Sequence, residues 1–380
     1  MSWLPPDDDE ADDEAFGGWD ERDARVRPNP KANKPRTKTR PDHDDAIIGR
    51  VLSVDRGRYT VLVDEGAPGE GGAPGEGTPG EGDTPAEGGT LDAERRGTGE
   101  RVLTSTRARE LRDQGQIVTG DRVSLVGDTS GSEGSLARIV RIQPRTSLLR
   151  RSGDDTDAIE RIIVANADQL LIVVAAANPE PRPRLVDRYL VAAYDAGVAP
   201  LMVITKTDLA DPAPFLANFA GLDIPVFLSS QDAAGVTQPP LAELTTALAG
   251  HSTVAVGHSG VGKSTLVNAL VPGTDRAVGI VNAVTGRGRH TSSSTVSLRV
   301  PTGGWIIDTP GVRSFGLGHV NPDNILRSFT DLAAVSAECP RGCTHLADAP
   351  DCALNEAVAE GRLSGERVDS LQRLLTTLRT

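Results

Sequence analysis

The run Gly257-His258-Ser259-Gly260-Val261-Gly262-Lys263-Ser264-Thr265 fits the spacing G-x-x-x-x-G-K-[ST] without a mismatch. Glycines at these positions let the backbone curl until several N–H groups face phosphate oxygens, and a helix N-terminus adds positive potential. Lys263 then reaches the outer phosphates, and the Ser264 hydroxyl ligates magnesium. The apolar run Thr253-Val254-Ala255-Val256 supplies the preceding strand, and Leu266-Val267-Asn268-Ala269-Leu270 the following helix. That strand–loop–helix context disfavours the alternative, a glycine-rich turn that merely opens a helix.

Two tetrapeptides turn this phosphate site toward guanine. Asp308-Thr309-Pro310-Gly311 follows the apolar strand Trp305-Ile306-Ile307; its carboxylate can hold magnesium through water, and the Gly311 N–H can meet the terminal phosphate. Thr205-Lys206-Thr207-Asp208 follows Pro200-Leu201-Met202-Val203-Ile204. A carboxylate at Asp208 accepts both N1–H and the 2-amino group of guanine, a pair that adenine lacks, while the Lys206 stem lies across the ring. Ser229-Ser230, after Pro225-Val226-Phe227-Leu228, adds a backbone contact to the base. Each tetrapeptide alone is a weak signal; their shared placement at strand ends beside a perfect phosphate loop is a strong one.

The chain's three cysteines, Cys339, Cys343 and Cys352, lie in one short segment with His345. A Cys3His set suits tetrahedral zinc. The odd count argues against disulfides. The alternative is three buried thiols without a metal.

Positioning these groups requires a sheet. From about residue 155 the sequence alternates apolar strands with helical spacing. Gln169-Leu170-Leu171-Ile172-Val173-Val174-Ala175 reads as a buried parallel strand, and residues 185–193 read as a helix. The runs at 200–204, 225–228, 253–256 and 305–308 continue the series, which predicts an α/β domain with a doubly wound parallel sheet. Short strand signals at 46–54, 59–63, 101–103, 121–126 and 136–142, with turns at Arg56-Gly57-Arg58 and Gly120-Asp121, predict a small N-terminal β-barrel of the oligonucleotide-binding (OB) type. A purely structural barrel is the alternative. Beyond residue 320 the pattern is short-helical around the cysteines.

The chain has 380 residues, room for about two or three domains, and a formal net charge of −13, which argues against a generic nucleic-acid binder. The charge is uneven. Residues 7–23 are strongly acidic and 25–40 basic, neither with hydrophobic periodicity, so residues 1–45 are expected to be a disordered tail. The basic half is either a solvated tail or an arm for RNA phosphates. Residues 66–90 repeat Gly, Pro and Glu and predict a flexible insert, about 65–100, within the barrel. No stretch is apolar and long enough to span a membrane, and no secretory signal opens the chain; the expected compartment is the cytoplasm.

The guanine element precedes the phosphate loop, and Asp308-Thr309-Pro310-Gly311 comes last. Ordinary GTPases carry the phosphate loop first, so this domain is circularly permuted. In this order, over about residues 46–355 without the insert, the chain resembles the bacterial small-ribosomal-subunit-dependent GTPase family known as RsgA or YjeQ. Residues 286–291 and 308–317 look like that family's two switch segments, and 144–151 like its junction between barrel and GTPase domain. The resemblance implies an OB-type barrel over 46–150, a circularly permuted GTPase domain over 151–318 and a zinc-binding helical domain over 319–380. It also implies hydrolysis of GTP to GDP with Mg2+, one structural Zn2+, and binding to the small ribosomal subunit and its rRNA late in assembly, with turnover that the subunit stimulates. A monomer away from membranes is expected.

In this frame Thr291 offers an oxygen to magnesium, with Ser292 as a neighbouring competitor. Val312 stands where Ras-type GTPases use a glutamine to position water, and the resemblance implies that the family shares this hydrophobic replacement. His290 is the candidate to orient that water, the alternatives being a plain loop histidine or an RNA contact. The chain departs from the family at Thr205, usually asparagine, in the gap Pro340-Arg341-Gly342 between its first cysteines, usually four residues, and in a slightly longer gap from His345 to Cys352. A P-loop ATPase or kinase acting on a small molecule is the competing enzymatic reading. A non-enzymatic RNA-binding scaffold is a third.

Overall fold

The computed structural model describes residues 43, 45–64, 100–111, 115–152, 160–231, 237–238, 241–273, 295–309 and 315–378. Residues 1–42 of the tail, residues 65–99 of the insert, residues 286–292 with His290, Thr291 and Ser292, and residues 310–314 with Gly311 and Val312 lie outside them.

The barrel comprises β1 (Ile47–Asp55), β2 (Arg58–Asp64), β3 (Glu100–Arg107), β4 (Arg122–Gly127) and β5 (Ala137–Ile142). Alternate side chains turn inward, so Val51, Val61, Leu103, Val123, Leu125 and Ile139 are fully buried in one core. Arg56 and Gly57 take positive φ, 44° and 82°, which makes the tight turn between β1 and β2. Pairing runs β1–β2, β2–β3, β5–β4 and β4–β1 antiparallel and β3–β5 parallel, which closes the barrel. β3 extends well beyond its apolar signal at 101–103, because Thr104, Ser105 and Thr106 gain partners on β2.

A hairpin of β6 (Leu148–Ser152) and β7 (Glu160–Ala165) leads out of the barrel. The mixed Arg/Leu and Glu/Arg character of these strands hid them from the sequence pattern. The next domain follows as β8 (Gln169–Ala175), α1 (Pro183–Asp195), β9 (Ala199–Thr205), α2 (Ala213–Leu216), β10 (Val226–Leu228), β11 (Ser230–Gln231), β12 (Thr237–Gln238), α3 (Leu241–Leu248), β13 (Ser252–Gly257), α4 (Lys263–Leu270), β14 (Val296–Arg299) and β15 (Trp305–Asp308). β10-β9-β8-β13-β15 form a parallel sheet; β14 adds antiparallel to β15 and meets β1 of the barrel. The β14 strand went unread because it is short, with Ser297 and Arg299 interrupting its apolar residues.

The barrel is fastened at several points. Arg145 grips buried Asp121 with two hydrogen bonds of 2.7 Å, and Asp121 also accepts the Val118 N–H. A Cβ on Gly120 would stand 2.1 Å from the Ala165 carbonyl oxygen, so glycine is what lets the barrel touch β7 there. Arg50 on β1 reaches Ser252 Oγ at 2.5 Å and lies 5.0 Å from the Trp305 ring centroid. Burial lowers the Arg50 pKa to about 10.

The C-terminal helices are α5 (Pro322–Arg327), α6 (Thr330–Ser336), α7 (Ala353–Ala359) and α8 (Gly365–Thr377). The Asn321 side chain caps α5 by accepting the Asp323 N–H at 3.0 Å. Leu371, Leu374 and Leu375 of α8 share one core with Tyr189 and Leu190 of α1 and with Leu346 and Cys352 beside the cysteine cluster. Arg367 on α8 pairs with Asp331 and Asp223 and covers Phe329, while Arg373 pairs with Asp187 of α1. Among the described residues no helix is long and apolar enough to cross a membrane.

Candidate functional site

The guanine element, the phosphate loop and Asp308 all sit at the C-terminal ends of neighbouring parallel strands, β9, β13 and β15. Open parallel sheets bind ligands along this edge. β13 ends at Gly257, where a Cβ would lie 2.5 Å from the Val173 carbonyl oxygen. Gly260 and Gly262 take φ of 83° and 91°, so the loop between them turns through conformations that other residues rarely adopt. Gly262 caps α4, and the Leu266 N–H returns to its carbonyl at 2.9 Å. Val261 is buried and anchors the loop, while Ser259, Gly260, Ser264 and Thr265 are exposed and His258 half-buried.

Lys263 forms an ion pair with Asp308, with side-chain exposures of 12% and 4%. The expected phosphate cation and the expected magnesium carboxylate therefore meet directly. Thr309 continues the edge, its hydroxyl donating to the Ala255 carbonyl at 2.9 Å.

Thr205 is buried, and its hydroxyl lies 2.5 Å from the Val261 carbonyl oxygen and 3.3 Å from that of Val174. It thereby ties the guanine element to the phosphate loop. Lys206 has φ 57° and donates to the Gly260 carbonyl at 2.9 Å and to the Asn178 carbonyl. Asn178, just past β8, is a contributor the motifs did not reveal; its place beyond the end of an apolar strand was the available clue. The Thr207 N–H donates to the Ser229 carbonyl at 3.3 Å, and the Ser229 N–H to the Ile204 carbonyl at 2.8 Å, which places Ser229-Ser230 beside Thr207 and exposed Asp208. One edge can thus present backbone N–H groups to phosphates and a carboxylate to a base.

The second cluster is separate. The ligand atoms of Cys339, Cys343, His345 and Cys352 lie within 4.8 Å of one another. His345 Nδ1 is 3.6 Å from Cys339 Sγ and 4.0 Å from Cys352 Sγ, against tetrahedral zinc edges of about 3.5–3.8 Å. Gly342, with φ of 78°, turns the shortened gap before Cys343, and His345, with φ of 56°, turns the chain just after it. Burial raises the Cys343 thiol to about 11 and lowers the His345 pKa, so without a metal both side chains favour their neutral forms.

Comparison with known proteins agrees with this arrangement. The family model described as RsgA GTPase matches residues 142–318. The small ribosomal subunit biogenesis GTPase RsgA of Pseudomonas aeruginosa (strain LESB58) is 38% identical over 269 residues, spanning 69% of this chain and 76% of that protein. The protein of the same name from Azotobacter vinelandii is 38% identical over 270 residues, with 69% and 75% covered. In fold, the crystal structure of YjeQ from Thermotoga maritima aligns with TM-score 0.59 at 24% identity, over 88% of this chain and 99% of that one. YloQ, described as a circularly permuted GTPase, aligns with TM-score 0.57 at 23% identity, over 88% and 95%.

Proposed function

The chain belongs to the RsgA GTPase family, and from that premise we propose that it hydrolyses GTP to GDP on the small ribosomal subunit late in the subunit's assembly, with turnover that the subunit raises. The observation that carries this is the tie between Thr205 and Val261, which joins a guanine-reading tetrapeptide to a phosphate loop across a permuted chain. A small-molecule kinase or ATPase has no use for that pairing.

Asp208 reads the base, with Thr205, Lys206, Thr207, Ser229 and Ser230 shaping its pocket. The N–H groups of residues 257–265 and the Lys263 ammonium take the phosphates. Magnesium, when bound, would offset phosphate charge; Ser264, which is exposed, and Thr291 would ligate the ion, Asp308 would hold it through water, and the Gly311 N–H would meet the terminal phosphate. His290 orients the attacking water, a role that Val312 cannot fill. The Cys3His cluster holds one structural zinc. The domains run 1–45, 46–150, 151–318 and 319–380, and the protein acts as a cytoplasmic monomer that contacts rRNA through local basic surfaces.

The test is GTP hydrolysis against small-subunit concentration at two salt levels, for wild type and His290→Ala. Stimulation that weakens steeply with salt is expected, since phosphate contacts release counterions. Hydrolysis that stays flat when subunits are added contradicts the ribosomal reading. Stimulation that survives in His290→Ala removes only the histidine's role.

A further inference from the structure

One row of residues runs from the barrel to the nucleotide edge. Ser53 on β1 pairs with Val296 on β14, Val296 pairs with Asp308 on β15, and Asp308 carries Lys263. The barrel backbone is therefore a single strand away from the carboxylate that meets the phosphate-loop lysine. Immediately before Val296, the Thr295 carbonyl accepts the hydroxyl of Thr119 at 3.2 Å. Thr119 is buried and its own backbone is fixed: it bridges Val164 of β7, and its carbonyl accepts the Ala165 N–H at 3.1 Å. Its hydroxyl thus contacts the chain where β14 begins.

The seam around β14 is not fully satisfied. Among the described residues, Ser297 Oγ and Arg50 Nε are buried without a hydrogen-bond partner, and β1 meets β14 at one register pair. Well-locked interfaces satisfy nearly all such groups. β14 is held to β15 by four register pairs and to β1 by only one, so its barrel side is the weaker of its two attachments. Arg50 spans the same strand to reach Ser252 and Trp305, so a shift on either side is felt by both.

We propose that β14 couples the barrel to the nucleotide site, with Thr119 as the positioning residue that holds the strand at Thr295. Ligands at the site and partners on the barrel then bias each other reciprocally, as linkage requires. Physical coupling needs an element with two arrangements that both sites bias, and β14 is that element. The inference rests on the nucleotide reading given above.

Hydrogen exchange on the full chain tests it, in the nucleotide-free form, with GDP, and with a non-hydrolysable GTP analogue plus magnesium. In the wild type the analogue protects residues 257–265 and slows exchange in β1 and β14 about fivefold or more, the lower end of ordinary coupling. In Thr119→Val, which keeps the branched shape and loses the donor, protection of 257–265 remains and the β1 response is lost; Thr119→Ser restores it. Protection of 257–265 with no response in wild-type β1 overturns the coupling, whether or not any variant folds. A β1 response in folded Thr119→Val equal to wild type overturns the role of Thr119. Absence of protection at 257–265 removes the nucleotide reading itself, and the inference with it.

Discussion

The Thr205 hydroxyl donates to the Val261 carbonyl across 2.5 Å, linking positions 56 apart in sequence. Where the family usually has asparagine, threonine does the tethering with one donor. Thr205→Val keeps the shape and removes that donor, which costs about 1 kcal/mol, or about fivefold in affinity for GTP and GDP alike. Thr205→Asn recovers most of it. Titration with a fluorescent GDP analogue measures both; unchanged affinity in Thr205→Val contradicts the tether.

In the proposed reading base choice rests on Asp208, exposed at the end of the same element. Asp208→Asn turns one acceptor into a donor facing guanine's donors. Affinity for GTP is expected to fall about 10- to 100-fold, the value of hydrogen bonds to a charged group, while xanthine nucleotides bind better. Competition among GTP, ATP and XTP reads this out. Equal ATP and GTP affinity in the wild type contradicts the assignment.

Lys263→Ala and Ser264→Ala both abolish most hydrolysis, but they differ in stability. Lys263 pairs with the buried Asp308 carboxylate, so its loss removes a charge partner in a buried setting and destabilises the fold by up to about 3 kcal/mol. Ser264 is exposed, and its loss stays within about 0.5 kcal/mol. Adding Asp308→Asn to Lys263→Ala restores melting temperature without restoring turnover. Thermal melts beside turnover assays separate the two effects.

Metal analysis of protein purified without chelator returns about one zinc per chain. A C-terminal region that unfolds alone would confine the damage of Cys343→Ser or of chelation. The shared core does not permit that, because Cys352 and Leu346 pack in one cluster with Tyr189 of α1 and Leu371 of α8. Both treatments therefore lower the melting temperature of the nucleotide-binding domain as well, in one transition. Two well-separated transitions contradict this.

The carboxyl of Asp187 is raised above its ordinary value, chiefly by burial, with Arg373 opposing. A raised carboxylate means the folded state holds the proton more tightly. This group's contribution to stability is thus greatest in acid and is lost as pH rises through its folded pKa, above 3.8. Asp187→Asn, uncharged throughout, flattens that part of the stability profile. Denaturant melts over mildly acidic pH, wild type against variant, check the sign.

Residue type and spacing alone pointed to the phosphate loop, the proposed guanine element, the Cys3His set and the permuted order, because each depends on a few neighbouring positions whose chemistry is local. Long apolar strands were legible for the same reason: Gln169–Ala175 is read to its ends because every residue in it is buried. What only the tertiary structure decided depends on partners distant in sequence. β14 is a strand because β15 and β1 flank it, not because its own residues demand it. Asn178 belongs to the site because Lys206 reaches it, and Lys263 meets Asp308 because two parallel strands end side by side. The joining of the C-terminal helices to α1 in one core likewise comes from long-range burial, which periodicity signals without saying against what.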